Sequence, residues 1–135
     1  MDLQIIKIAE DTNNNKHIKN HTHNYKLKNP LCGDHIEIRL IIKKDKIVDF
    51  SYEERSCIYC KASASLLSKI SINKSILKID KLCNDAESFF DGNDKIFKKK
   101  WLILNKLFKS KNSSRKECIL LPFKALKKIV TNYSS

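Results

Sequence analysis

The chain has 135 residues, of which 41% are hydrophobic and 31% are charged. This composition is that of a globular protein and excludes a disordered chain, and the length predicts a single domain over residues 1–135. There is no apolar run of about 18 residues and no signal peptide at the N-terminus. We therefore expect a soluble, cytoplasmic protein that does not act in a membrane.

The formal net charge of +12 raises the question of nucleic-acid binding. The basic residues are spread along the chain, and 24 of the 27 are lysine. Aromatic side chains are not interleaved with them as they are in a stacking platform for bases. We therefore favour a basic surface that helps to dock an acidic protein partner over a nucleic-acid interface.

The N-terminal segment combines a short helix with a polar stretch. Residues 3–10 predict an amphipathic helix that packs through Leu3, Ile6 and also Ile5. In the polar stretch, His21 and His23 form an H-x-H pair. Such a pair can bind a metal, but no periodic element holds it, and we expect a solvated loop instead.

Three strands are predicted next. Residues 23–28 alternate weakly, and residues 36–43 alternate strongly between apolar and polar side chains. A third run places Val48, Phe50 and Tyr52 on one face, and residues 43–46 form a plausible hairpin turn although they lack glycine. An antiparallel sheet with one buried face follows.

The period becomes helical from Cys57 onward. Three further helices are predicted, with a polar linker at residues 110–116 before the last one and Pro122 in the first turn of that last helix. Their apolar faces are Ile76, Ile79, Cys83, Ala86 and Phe90; Phe97, Trp101, Leu104 and Phe108; and Ile119, Phe123, Leu126, Val130 and Tyr133. Strands followed by helices predict an α+β fold, in which several helices pack on one face of a three-stranded antiparallel sheet.

Four potential metal ligands stand at loops and helix starts: Cys32, Asp34, Cys57 and Cys118. Three thiolates and one carboxylate are a workable tetrahedral donor set for zinc. The number of cysteines, five, is odd, and disulfides are not expected in the cytoplasm, so metal binding or thiol chemistry competes with a simple role as buried apolar residues. Spacing alone leaves these alternatives open. The pair Cys57-x-x-Cys60 lacks the frame of a thioredoxin-like redox motif.

Three motifs resemble one known family. Residues 29–34 read NPLCGD, residues 57–65 read CIYCKASAS, and residues 115–126 read RKECILLPFKAL. In this order they resemble the U-type iron–sulfur cluster assembly family, which comprises IscU, SufU and the N-terminal domain of NifU. The resemblance covers about residues 23 to 130 and implies that family's α+β fold.

The resemblance is closer to the SufU type. The cluster-assembling branch has a histidine directly before its last cysteine and an LPPVK chaperone-docking motif upstream, whereas this chain has Glu117 and no such motif. The pair Arg115 and Cys118 reproduces the Arg-x-x-Cys pattern of SufU-type members, and the 61 positions from Cys57 to Cys118 suit their longer form.

This resemblance implies a zinc-dependent sulfurtransferase that accepts persulfide sulfur from a PLP-dependent cysteine desulfurase of the SufS type. Cys32 would accept the sulfur, Asp34, Cys57 and Cys118 would stay on zinc, and Arg115 would orient the site. The sulfur would pass to a downstream iron–sulfur scaffold. Two alternatives stay open: a scaffold on which an Fe–S cluster is assembled directly, and a zinc-stabilised basic binding module.

The chain departs from the family at two places. Residues 53–56 contain no glycine where the family has a glycine-rich approach to the second cysteine. Cys60 stands where the family usually has serine, and we interpret it as a tolerated change rather than as a spare ligand or second sulfur carrier. Glu117, next to Cys118, is expected to be solvated rather than to act as a ligand.

Overall fold

The structure, a computed structural model, describes residues 3–31, 33–92 and 101–134. Cys32 lies outside the described residues, and so do Phe97 and Lys98–Lys100 of the predicted third helix. Among the described helices, none combines the length and the apolar character that crossing a bilayer requires.

The three predicted strands form one antiparallel sheet in the order β1-β2-β3. Strand β1 spans His23–Lys28, β2 spans His35–Lys43 and β3 spans Lys46–Arg55. The apolar side chains of the alternating runs are buried, namely Ile36, Ile38, Leu40, Ile42, Phe50 and Tyr52. The predicted sheet with one buried face is therefore confirmed.

The turn between β2 and β3 is a two-residue hairpin. Lys44 and Asp45 both have positive φ angles, of 50° and 62°. Such angles match the right-handed twist of the flanking strands, and they usually require Gly, Asn or Asp. The predicted turn is confirmed, and it forms without the favoured glycine.

A β-bulge changes the face on which Val48 lies. The register shifts between Ile41 and Ile42, which pair with Asp49 and Ile47, so Val48 is the extra residue of the bulge. A bulge reverses the alternation of side chains on its strand. The predicted buried position of Val48 is therefore wrong: its side chain is 39% exposed, and Ile47 is fully buried instead.

Four α-helices and two short 3₁₀ helices complete the described fold. The α-helices are α1 Leu3–Glu10, α2 Ile58–Ser71, α3 Ile76–Phe89 and α4 Lys116–Ser134, and the 3₁₀ helices are Leu102–Lys106 and Ser110–Arg115. Helices α2 and α4 lie against the sheet, α1 packs on α2, and α3 packs on α4. The predicted α+β class, with helices packed on the sheet, is confirmed.

The packing faces of α1 and α3 differ in detail from those predicted. In α1 the core contacts come from Ile5, Ile8 and Ala9, at the i, i+3, i+4 spacing of one helical face. Leu3 is 73% exposed, so its predicted role in packing is wrong. In α3 the buried face ends at Phe89 rather than Phe90, because the helix ends there and Phe90 becomes its C-cap.

The segment before the last helix is more ordered than predicted. Instead of an α-helix at Trp101–Phe108 and a polar linker, the chain forms two 3₁₀ turns. The buried Asn112 side chain donates to the carbonyl oxygen of Leu107 (2.8 Å) and joins the two turns. Helix α4 then begins at Lys116, so Pro122 lies inside the helix and not in its first turn.

Candidate metal centre

The loop between β1 and β2 is closed by Asn29. The backbone N–H of Gly33 donates to the Asn29 carbonyl (2.9 Å), the Asn29 N–H donates to the Asp34 carbonyl (2.8 Å), and the Asn29 side chain accepts from the Leu31 N–H (3.0 Å). Gly33 has a φ of +77°, a conformation that residues with a Cβ rarely adopt. These contacts hold Asp34 in one position at the start of β2.

Cys57 is the N-cap of helix α2. Its side chain makes no capping hydrogen bond and is half-buried. At a helix N-terminus the unpaired N–H groups and the helix dipole favour a negatively charged sulfur. Cys57 therefore stands at the start of a helix, as the sequence predicted.

A buried carboxylate supports the connection that carries Cys57. Glu54 accepts a hydrogen bond from the Ser56 hydroxyl (2.5 Å) and another from the Lys61 ammonium group (2.8 Å). The Glu54 side chain is only 3% exposed. These two contacts fix Glu54 beside a connection that contains no glycine.

Sequence reasoning missed Glu54 as part of this site. The alternation that places Phe50 and Tyr52 on the core face also places Glu54 there, two residues further on. A carboxylate on a buried face needs a hydrogen-bonding partner, because an unpaired buried charge is costly. That argument would have identified Glu54 from the sequence.

Cys118 is the third residue of helix α4, and its side chain is buried. The Ser63 hydroxyl of α2 donates to the backbone carbonyl of Ile119 (2.5 Å). Residues 62–65 of α2 are alanine and serine, and such small side chains allow this close approach. It also keeps the N-terminal ends of α2 and α4 together.

The structure brings Asp34, Cys57 and Cys118 together. One carboxylate oxygen and two sulfur atoms lie within 4.8 Å of one another. The Asp34 Oδ2 atom is buried and has no hydrogen-bond partner among the described residues, which is costly for a carboxylate unless a cation is present. Sulfur and carboxylate donors suit zinc, so these residues fit such an ion.

Arg115 and Glu117 stand close to Cys118 in the sequence and are not part of this cluster of three potential ligands. The Arg115 guanidinium carbon is 5.5 Å from the centre of the ring of Tyr59, a residue in the first turn of α2. Glu117 is exposed and accepts a hydrogen bond from Lys124 (3.2 Å), which confirms that it is solvated.

Two further cysteines are fully buried. Burial raises the pKa of the Cys60 thiol to about 12, and the nearby Cys57, Asp34 and Glu54 raise it further, while a hydrogen bond with Ser56 opposes the shift. Burial likewise raises the pKa of the Cys83 thiol. Both thiols are neutral at physiological pH in this arrangement.

The polar segment of residues 11–22 covers part of β3. The Tyr52 N–H donates to the Asn14 carbonyl (3.0 Å), and His17 contacts Glu53 (3.1 Å). The His23 ring packs edge-on against Tyr133, with 5.4 Å between ring centres. Within the described part of the chain, neither His21 nor His23 joins a cluster of three potential metal ligands.

Comparison with known proteins assigns the family. Residues 4–135 match the model of the NifU-like N-terminal domain. The chain belongs to this family. The U-type iron–sulfur cluster assembly family expected from the three motifs is thereby confirmed.

One curated relative matches most of this chain. It is an uncharacterised protein of Borreliella burgdorferi that is 32% identical over 104 residues, which cover 76% of this chain and 70% of that protein. Its description names no activity, so it adds nothing on function.

Two crystal structures share the fold. One is a protein of Fervidobacterium islandicum described as an iron–sulfur cluster assembly scaffold for the SUF system, with a TM-score of 0.87, 24% identity and coverage of 96% of both chains. The other is the N-terminal part of a NifU-like protein from Brucella abortus, with a TM-score of 0.82, 14% identity and coverage of 98% of this chain and 93% of that one.

Proposed function

We propose that this protein is a cytoplasmic, zinc-dependent sulfur acceptor for a PLP-dependent cysteine desulfurase of the SufS type, and that it passes the sulfur to an iron–sulfur scaffold. The main support is the convergence of Asp34, Cys57 and Cys118 within 4.8 Å. Cys32, two residues from Asp34, supplies the remaining thiol. Glu117 at the position before Cys118 favours the SufU type.

The proposed roles divide between holding the metal and reacting. Asp34, Cys57 and Cys118 would hold zinc, and Cys32 would be the fourth ligand and the reacting thiol. A bound zinc ion would supply positive charge that keeps thiolate ligands deprotonated near neutral pH. Arg115, which contacts the Tyr59 ring in the first turn of α2, would orient the site and stabilise an anionic sulfur.

The transfer itself is a thiol–disulfide type exchange. The Cys32 thiolate attacks the terminal sulfur of the persulfide on the desulfurase. A new S–S bond forms at Cys32, the S–S bond of the donor persulfide breaks, and the donor cysteine leaves as a thiolate that takes up a proton. No electrons are gained or lost overall, so the step needs no oxidant or reductant.

The decisive experiment measures turnover of a SufS-type desulfurase with cysteine as substrate. We expect the wild-type protein to accelerate alanine formation and to accumulate one persulfide, detected as a mass increase of one sulfur atom. Cys32→Ala should lose both effects and keep part of its zinc. Cys83→Ala is the matched control, since Cys83 is buried outside the cluster. Full stimulation by Cys32→Ala would refute the acceptor assignment.

A second candidate is a scaffold on which an Fe–S cluster is built. The same sulfur and carboxylate donors can hold such a cluster, and the Fervidobacterium relative carries that description. Anaerobic reconstitution with iron, cysteine and desulfurase distinguishes the two. A brown protein with iron and sulfide in place of zinc favours the scaffold. Zinc without any effect on the desulfurase leaves only a zinc-stabilised binding module.

A further inference from the structure

Cys60 lies one helical turn from a proposed metal ligand. Cys57 is the N-cap of α2, and Cys60 occupies the third helical position. The Lys61 N–H donates to the Cys57 carbonyl (3.1 Å), so the first turn is regular. In this geometry, the side chain at the third helical position reaches back towards the N-cap residue, as it does in a capping box. Cys60 therefore neighbours Cys57 along the helix.

Cys60 lies near the candidate metal centre without being part of it. Its side chain is fully buried, and the titratable groups near its thiol include two of the clustered residues, Asp34 and Cys57. Its sulfur is not among the ligand atoms that lie within 4.8 Å of one another. Cys57 and Cys60 thus form a C-x-x-C pair at the start of α2, with only the Cys57 sulfur in the cluster.

We propose that Cys60 is a reserve metal ligand, which completes the set Asp34, Cys57, Cys60 and Cys118 when Cys32 leaves to carry sulfur. In this exchange the Cys60 S–H bond would break, its proton would be released, and the Cys60 thiolate would complete the ligand set that lacks Cys32. No electrons are transferred. The proposal rests on the proposed function in that a metal is bound, and it allows the metal to stay while Cys32 reacts.

Cobalt substitution tests the proposal without measuring activity. Thiolate-to-cobalt charge-transfer absorption grows with the number of thiolate ligands, so it counts the sulfurs on the metal. We expect three thiolates in the wild-type protein and three again in Cys32→Ala, because Cys60 replaces the missing ligand. The double variant Cys32→Ala/Cys60→Ala should show two thiolates and bind the metal at least about tenfold more weakly than Cys32→Ala.

Control variants distinguish a failure of the reserve-ligand proposal from a failure of the proposed function. Cys60→Ala alone should keep the wild-type spectrum, and Cys32→Ala/Cys83→Ala should match Cys32→Ala, since Cys83 is equally buried but is not part of the cluster. Cys60→Ser, with the residue expected in the family, repeats the test in case the alanine variant folds poorly. Two thiolates in Cys32→Ala, unchanged when Cys60 is also removed, would refute the reserve ligand. A wild-type protein that binds no metal would refute the proposed function itself.

Discussion

At the scale of single residues, Asp34 is the donor whose surroundings most favour a bound cation. One oxygen of its carboxylate is buried and lacks a hydrogen-bond partner in the described structure, and the carboxylate forms a cluster with two cysteine sulfurs whose ligand atoms lie within 4.8 Å of one another. Desolvating a carboxylate without a partner costs several kcal/mol in a low-dielectric environment. A metal ion offsets that cost, which makes the carboxylate a sensitive probe of metal binding.

Asp34→Ala should therefore weaken zinc binding by at least about tenfold. The physical reason is the loss of one of three clustered donors while both thiols remain. Competition with a chromophoric chelator measures the affinity. Asp91→Ala, in an exposed turn, is the control and should bind zinc as the wild-type protein does. An unchanged affinity in Asp34→Ala would remove Asp34 from the ligand set.

At the scale of secondary-structure elements, the β2–β3 hairpin shows how one extra residue changes which side chains are buried. Ile47 is fully buried and pairs with Ile42, whereas Val48 is the unpaired residue of the bulge. Strict alternation along the strand, which is the only pattern that the sequence displays, would bury Val48 and expose Ile47. The bulge forms where the hairpin turn of Lys44 and Asp45 meets the longer strands.

Alanine substitutions of Ile47 and Val48 should lower the free energy of unfolding by very different amounts. Ile47→Ala removes a fully buried side chain and should lower the free energy of unfolding by about 2–5 kcal/mol. Val48→Ala lies at a partly exposed position and should change it by roughly 0.5 kcal/mol or less. Urea denaturation of both variants measures the difference. Equal losses of stability in the two variants would mean that Val48 is not the bulged residue.

A network of ion pairs links charged side chains on the outer face of the sheet. Arg39 pairs with Glu37 (2.5 Å) and with Glu53 (2.8 Å), and His17 contacts Glu53 from the covering loop. Burial alone would raise the pKa of Glu53, but the hydrogen bonds from Arg39 and His17 outweigh it and lower the pKa. The charged form of Glu53 is thus stabilised in the folded protein.

This lowered pKa predicts an acid-dependent contribution to stability. A group whose pKa is lower in the folded state stabilises the fold above its unfolded pKa, near 4.5 here, and loses that contribution as the pH falls through its folded pKa. Wild type should therefore be more stable than Glu53→Gln at pH 6 to 7, and the difference should shrink below about pH 4.5. Thermal unfolding from pH 3 to pH 7 tests this, and a gap that is independent of pH would contradict it.

At the scale of the whole molecule, the candidate metal centre joins parts of the chain that are far apart in sequence. Asp34 directly precedes β2, Cys57 caps α2 and Cys118 lies in the first turn of α4. The donors converge only once the sheet and both helices have packed. Binding energy at such a site adds to the stability of the whole fold.

Metal removal should therefore lower the unfolding temperature of the wild-type protein. At a zinc concentration about 1,000-fold above the dissociation constant, zinc binding raises the free energy of unfolding by about 4 kcal/mol. A strong chelator removes this contribution. Differential scanning calorimetry with and without chelator measures the shift. Cys57→Ala should show a smaller shift than the wild-type protein because one ligand is lost, and a shift of wild-type size in that variant would show that zinc stabilises the protein at another place.

Local sequence patterns alone predict much of this protein's secondary structure and its family. The alternating runs predict the three strands, the change of period at Cys57 predicts the start of α2, and the NPLCGD, CIYCKASAS and RKECILLPFKAL motifs predict the family. These features depend on residues close together in the chain, where side-chain period and turn chemistry decide the structure.

Tertiary packing decided the rest. The buried position of Ile47, the packing of α1 through Ile5 and the 3₁₀ turns before α4 depend on contacts with distant elements, which no local pattern encodes. The same holds for the meeting of Asp34 with Cys57 and Cys118. Their residue types made a metal site chemically possible, but only the packing of α2 and α4 against the sheet brings three donors within 4.8 Å, because ligands from three segments converge only in the folded chain.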